Sequence, residues 1–326
     1  MSGFLRLDDP AGLPERLRGG VVAIGNFDGV HRGHQAVLGR ALEEAERRRA
    51  PALVLTFEPH PRAVFRPDVP LYILTPPPMK GRLIERLGFD ALVCQRFTRD
   101  FAAQSPEEFI AVMLDGGLGV SHVVTGFDFH FGRNRGGGPA YLMESGVRHG
   151  FGVTLVDAFR DEGAEVISSS RIRLLLEEGG VAEAAGLLGY RYTVEATVSA
   201  GKQLGRTLGF PTANMQLPVA TALRHGIYAV RFRRADGSLH DGVASFGRRP
   251  TVDEEGAPLL ETFVFDFSAD LYGETCSVSF FGFLRGEEKF DSLEALVAQM
   301  KRDEAEARAV LASARPLSEL DGKISF

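Results

Sequence analysis

At 326 residues, with 44% hydrophobic and 25% charged residues, 38 Gly and 17 Pro, the chain is sized for two domains and is not disordered, collagen-like or coiled-coil. A formal net charge of −6 argues against sequence-independent nucleic-acid binding, and no apolar run reaches the roughly 20 residues of a membrane helix. Residues 1–10 lack a basic-then-apolar leader pattern, and Cys94 and Cys276 lie too far apart for a metal knuckle or redox pair, so a cytoplasmic location is expected.

The first half alternates short apolar runs with helical patterns. VVAIG at 21–25 is short, β-branched and ends at Gly, which predicts a buried strand. Val37, Leu38, Ala41, Leu42 and Ala45 then share one face of a helix over 32–49. Further strands are expected at 52–57, 90–95, 121–125 and 152–157, with helices at 80–87 and 106–115. The second helix has a marked start: Ser105 as cap, Pro106 at the first position and Glu108 closing a capping box. Strands separated by helices imply parallel βαβ units, hence a doubly wound α/β domain with its ligand at the carboxyl ends of the strands.

After about Gly189 the period changes. Alternating patterns at 191–199, 227–233, 259–267 and 275–283, with an ADG turn at 235–237, predict antiparallel strands in a small barrel or a sandwich. One long helix is expected to close this domain, capped by Asp291, with Leu293, Leu296, Val297 and Met300 as its apolar stripe. Helical residues from about 170 precede a boundary near 187–191, so the expected division is 15–187, 188–312 and a mobile tail over 313–326.

Two segments carry chemistry. GNFDGVHRGH at 25–34 joins a strand to a helix start, where backbone N–H groups and the helix dipole favour a phosphate. His31 and His34, three apart, project from the first turn toward one spot and suit hydrogen bonding to phosphate oxygens as charge builds. With no covalent nucleophile present, the fitting reaction is direct attack of a substrate oxygen on a nucleotide α-phosphorus, with pyrophosphate leaving. Two other readings stand beside it: a turn whose histidines merely cap the helix, and a zinc pair, which lacks further ligands. GKQLGRTLGFPTAN at 201–214 supplies Gly201, Gly205 and Gly209 for close phosphate approach, and Thr212 and Asn214 two apart on one face as hard ligands for Mg²⁺. No Walker motif occurs.

GNFDGVHRGH resembles the HxGH signature of the nucleotidyltransferase superfamily, in the form used by bacterial bifunctional riboflavin kinase/FAD synthetases. TFEPHPR at 56–62, SPEEF at 105–109, GFDFHFG at 126–132 and SSSRIR at 168–173 follow in that family's order. GxxxGRTLGFPTAN is similar to the family's riboflavin kinase motif, supported by GIYAV, GRRPT, DLYG and KFDSL farther on. The resemblance implies a Rossmann-like nucleotidyltransferase domain and a six-stranded Greek-key barrel with one long helix. It implies riboflavin phosphorylation to FMN, then adenylyl transfer to FMN giving FAD and pyrophosphate, with Mg²⁺ and ATP at both sites.

By the same resemblance, the adenylyl-transfer site uses His31 and His34 with Gly25, Phe27, Asp28, Gly33, Asp128, Ser168, Ser169 and Arg173 on the ATP side. Phe57, Pro59 and His60 stand on its flavin side, and Gly201, Gly205, Thr212 and Asn214 hold ATP and metal in the kinase. Glu261 is implied as the carboxylate that activates the ribityl hydroxyl, although its place alone would read as a solvent-facing strand residue. Asp128 alone would read as a turn cap. Two positions depart from the family: His130 replaces an Arg or Lys, lowering the charge expected there, and Ser170 replaces a Thr. Expected partners are ATP, riboflavin and FMN, with at most a weak homo-oligomer and neither nucleic acid nor membrane. Alternatives are a chain keeping one activity only, or a flavin-binding sensor. The intact histidines and Glu261 argue against both.

Overall fold

The computed structural model, described for residues 3–199, 209–248 and 257–326, has two units, Met1–Ser169 and Ser170–Phe326. The first is built on strands β1 (Leu5–Asp8), β2 (Val21–Ile24), β3 (Ala52–Glu58), β4 (Ala91–Arg96), β5 (His122–Gly126) and β6 (Gly152–Val156). They pair in parallel in the order β1-β4-β3-β2-β5-β6. The central strands are apolar runs because helices cover both faces: Val22, Ile24, Leu53, Leu55, Val93 and Val123 are each at most 2% exposed. The crossovers are α1 (Arg32–Arg48), α2 (Pro61–Phe65), α3 (Pro77–Leu87), α4 (Arg99–Ala102), α5 (Pro106–Glu108) and α6 (Pro139–His149). The capping box forms: Ser105 Oγ accepts from Glu108 N at 3.2 Å and Glu108 Oε2 from Ser105 N at 2.7 Å. From Phe109 to Leu118 the chain continues as a wider π-type helix.

The strand order places the site. The chain winds from β2 through β3 to β4, then crosses back to β5 on the other side of β2, so the order reverses between β2 and β5. Ile24 is paired with Thr125 there, and Thr125 Oγ1 donates to the Ile24 carbonyl at 3.1 Å. The segments beginning at Gly25 and Phe127 therefore leave the sheet side by side at the switch point, where α/β sheets bind ligands. Pro59 and His60 leave β3 on the same edge.

In the second unit, α7 (Ser169–Glu178) and α8 (Val181–Leu188) precede β7 (Thr193–Ser199), β8 (Thr212–Gln216), β9 (Gly226–Arg233), β10 (Leu239–Gly247), β11 (Leu259–Val264) and β12 (Thr275–Arg285). The six antiparallel strands close as β10-β11-β8-β7-β12-β9, a barrel and not a sandwich. β9, β10 and β11 form a meander and β8 returns beside β11, a Greek-key connection. Met215, Tyr228, Phe232, Phe246, Leu260 and Phe280 fill its interior, each fully buried. The helix α9 (Leu293–Ser313) packs outside against β9, β10 and β12.

Ile172, Leu176, Val181 and Leu188 of α7 and α8 are buried, and Arg224 N donates to the Leu176 carbonyl at 2.9 Å, so both helices belong to the compact unit of the barrel. Three expectations for this half change: the cap of α9, its apolar stripe and the C-terminal segment. Ser292, not Asp291, caps α9, accepting from Ala295 N. The α9 stripe shifts toward its C-terminal half: Leu293 is 58% exposed, while Ala307 and Leu311 are buried. Residues 313–326 are not a loose tail. Helix Glu319–Ser325 buries Leu320 and Ile324, and the fully buried Asp321 accepts from Arg191 N at 2.8 Å and Arg191 Nη1 at 2.6 Å.

Candidate functional site

His31 is the N-cap of α1, with extended backbone, and its Nδ1 accepts from His34 N at 3.2 Å. A histidine serving as its own helix's cap fixes both rings: those of His31 and His34 stack at 3.6 Å between centroids, 16° from parallel. Phe27 meets the His34 ring edge-on at 5.4 Å. Phe27 and Val30 are held at φ 48° and 37° while 1% and 0% exposed, so the turn carries backbone strain of the kind found at functional sites. His34 Nδ1 is sealed from solvent and has no hydrogen-bond partner among the described residues. Burial, then the neighbouring His31 and Lys80, hold the His34 imidazole well below its usual pKa, so the ring is neutral at pH 7.

Lys80 is a group that sequence reading placed only as a helix residue. It is 5% exposed on α3, with its ammonium 3.1 Å from Glu58 Oε1 and 3.3 Å from Thr56 Oγ1 at the carboxyl end of β3. Thr56 Oγ1 in turn donates to the Asn26 carbonyl at 3.0 Å, tying the histidine turn to β3. The sequence signal for it was a lysine on the otherwise apolar face of α3, between Met79 and Leu83.

The other expected residues fall into three groups. Gly25, Gly33 and Ser169 shape the turn: a Cβ on Gly25 would stand 3.0 Å from the Phe27 ring, one on Gly33 3.2 Å from the His31 ring, and Ser169 Oγ donates to the Asp28 carbonyl at 2.8 Å. Ser168 directly precedes it, half-buried. Asp28 is 2% exposed and its carboxylate accepts from Thr75 N at 3.0 Å, which braces the loop. Asp128 is exposed on the segment after β5. Its carbonyl accepts from His130 Nδ1 at 2.7 Å, and Arg135 stands 3.2 Å from the same nitrogen, so this loop keeps a cation although His130 replaces the basic residue. Phe57 is core: 7% exposed, it packs against Phe97, Phe101 and Phe109. His60 caps α2, accepting from Arg62 N at 3.1 Å, with Pro59 just before it. Arg173 lies on α7, in the second unit.

A second constellation lies on the barrel. Glu261 of β11 is directly paired with Asn214 of β8, and Thr212 with Phe263. Because Ala213, Met215, Leu260 and Thr262 point inward, Thr212, Asn214 and Glu261 share the outer face. Asn214 is 5% exposed and its Nδ2 donates to the Thr212 carbonyl at 3.1 Å, leaving Oδ1 sealed from solvent with no partner among the described residues. A buried carbonyl oxygen beside a threonine hydroxyl and a carboxylate is a donor set for a hard divalent cation. Gly201 and Gly205 lie outside the described residues. Among the described residues no three His, Cys, Asp or Glu side chains gather as a metal cluster.

A family model for FAD synthetase matches residues 13–171, and one for riboflavin kinase matches 188–311. The bifunctional riboflavin kinase/FMN adenylyltransferase of Listeria monocytogenes is 40% identical over 296 residues, covering 90% of this chain and 92% of that protein. The Escherichia coli K12 protein of the same description is 39% identical over 298 residues, covering 91% and 95%. A solved chain from Streptococcus pneumoniae described as a macrolide-efflux protein superposes with a TM-score of 0.81 at 31% identity, covering 94% of this chain and 98% of that one. No helix among the described residues is long and apolar enough to cross a membrane.

Proposed function

The chain belongs to the bifunctional riboflavin kinase/FMN adenylyltransferase family, and from that premise we propose how its residues divide the work. It phosphorylates riboflavin to FMN with ATP, then transfers AMP from ATP to FMN, giving FAD. Adenylyl transfer is assigned to the domain over 15–187 and phosphorylation to that over 188–312, a reading supported by the two matched segments and by the two constellations on separate folds. The observation that carries the assignment is the stacked His31–His34 pair at the carboxyl ends of β2 and β5.

For adenylyl transfer, an FMN phosphate oxygen attacks the α-phosphorus of ATP in line with departing pyrophosphate. His31 and His34 supply ring nitrogens toward the α-phosphate, where charge builds, and the N-terminus of α1 adds its dipole. Gly25, Phe27 and Gly33 shape that turn and Asp28 braces it, Ser168 and Ser169 close it, and Asp128 and Arg173 are assigned to ATP. Phe57, Pro59 and His60 are assigned to the flavin side, with Phe57 as buried floor.

For phosphorylation, Glu261 accepts the proton of the ribityl 5′-hydroxyl as that oxygen attacks the γ-phosphorus of ATP, and ADP leaves. Thr212 and Asn214 fit Mg²⁺, which when bound would offset charge on the transferring phosphoryl group. Gly201 and Gly205 are assigned to the ATP phosphates. Mg·ATP is the proposed nucleotide at both sites, and the cytoplasm the proposed location.

The test is a time course with riboflavin, ATP and Mg²⁺, resolving flavins chromatographically. Riboflavin should fall, FMN rise and then decline, and FAD accumulate. FMN without FAD, or neither product, rules the reading out.

A further inference from the structure

Between β6 and Ser168 the chain forms a hairpin closed by its own backbone. Arg160 and Val166 pair as an antiparallel bridge, Asp161 N donates to the Glu165 carbonyl at 2.9 Å, and Ile167 N to the Phe159 carbonyl at 3.2 Å. Asp161 Oδ1 accepts from Gly163 N at 2.9 Å and Glu165 N at 3.0 Å, which stiffens the turn. Yet residues 159–166 bury no side chain, and Ile167, 4% exposed, is where the segment reaches the core. A hairpin that is stiff but unburied takes its place from the few contacts it makes with the body.

Those contacts come from the histidine turn. Arg32 stands between His31 and His34 in the first turn of α1. Its Nη2 donates to Glu162 Oε1 at 2.7 Å and its Nη1 to Glu162 Oε2 at 3.1 Å, while its guanidinium carbon lies 5.3 Å from the centre of the Phe159 ring. A Cβ on Gly33 would lie 3.6 Å from the Ile167 carbonyl oxygen, so the hairpin's exit runs against the same turn. Two residues on, Ser169 Oγ donates to the Asp28 carbonyl at 2.8 Å.

We propose that Arg32 and Glu162 are a positioning pair of the adenylyl-transfer site: their two-pronged bond seats the hairpin 159–167 on the first turn of α1 and so sets where Ser168 and Ser169 meet the ATP phosphates. The proposal rests on the adenylyl-transfer reading given above. A single exposed ion pair would hold little, but two parallel bonds over an aromatic face fix the direction of a guanidinium. Without the pair, the hairpin turns as a unit about its ends and carries the serines with it. The histidines stay on their helix, so the loss falls on ATP affinity and spares the chemical step.

The experiment compares wild type with Arg32→Gln, Glu162→Gln and the double variant. It reads FMN-to-FAD conversion at varied ATP, riboflavin phosphorylation as a check that each chain folds, and amide hydrogen exchange of peptides spanning 159–169 in protein without nucleotide. Each single variant should raise KM for ATP about threefold to tenfold at unchanged kcat, and the double variant should go no further than either, because all three remove one interaction. Exchange over 159–169 should quicken in all three, and FMN formation should persist. Additive effects on KM would overturn the proposal, as would exchange that stays at the wild-type rate. A loss carried by kcat, or found in Arg32→Gln alone, would overturn it too, since Arg32 would then be a substrate contact. The exchange arm needs neither ATP nor flavin, so it decides the proposal even if wild type makes no FAD, and failure of the functional reading is told apart from failure of this one.

Discussion

Gly33 lies against the imidazole of His31: a Cβ at residue 33 would stand 3.2 Å from both Cε1 and Nδ1 of that ring. The ring accepts from His34 N, so pushing it disturbs the cap and the stack together. Gly33→Ala should therefore lower kcat for FMN-to-FAD conversion on the order of tenfold, since small misplacements of reacting groups are costly. FMN formation from riboflavin, followed in the same samples, should be unchanged.

Removing either ring is more severe. His31→Ala and His34→Ala should each reduce FAD formation on the order of a hundredfold or more, the effect typical of losing one donor to a developing charge. FMN should then accumulate from riboflavin. A variant that loses both conversions while keeping wild-type circular dichroism would contradict the assignment.

On the barrel, Asn214→Ala and Glu261→Gln should stop FMN formation while added FMN is still converted to FAD. Asn214→Ala removes the unpartnered Oδ1, so its residual activity should also require higher Mg²⁺, measured as a shifted metal-activation curve.

The terminal helix makes a stability prediction. Asp321→Ala leaves Arg191, itself mostly buried, without its carboxylate, and breaking such a buried pair costs about 3 kcal/mol or more. Deleting residues 313–326 should be worse, because Leu320 and Ile324 leave the barrel surface. Thermal unfolding monitored through riboflavin phosphorylation should show both losses.

Acid sensitivity follows from Glu44. Hydrogen bonds from Arg47, then Arg48, overcome its burial and hold its carboxyl down at about 2. A depressed folded-state pKa contributes stability that is present above the unfolded value and lost as pH falls from about 4.5 toward 2. His149 runs the other way: Asp115 and then Glu107 raise its pKa, so its contribution is full below its unfolded value and lost as pH rises through the folded one. Denaturant unfolding against pH should show Glu44→Gln flattening the acid side and His149→Gln the neutral side.

Both folds were legible because their periods are local. The parallel strands are unbroken apolar runs, and the barrel strands alternate, as Gly226–Arg233 does in its burial. β1 escaped notice because an edge strand of four residues, LRLD, has no run long enough to read. The terminal helix was missed because its anchors, Asp321 with Arg191 and Phe326 with Phe281, are distant in sequence. The histidine pair and PTAN were visible as motifs. That Asp28 faces Thr75, that Phe57 is core, and that Lys80 reaches Thr56 and Glu58 depend on crossovers bringing separate segments together, which no local pattern encodes.

The central claim is that two independent sites act in sequence on one flavin. The most direct measurement mixes two dead chains: His34→Ala, able to make only FMN, and Glu261→Gln, able only to adenylylate it. Given riboflavin, Mg²⁺ and ATP, neither alone should yield FAD, and the mixture should yield it through released FMN. A mixture that makes no FAD, although each variant keeps its one remaining conversion, would contradict the account.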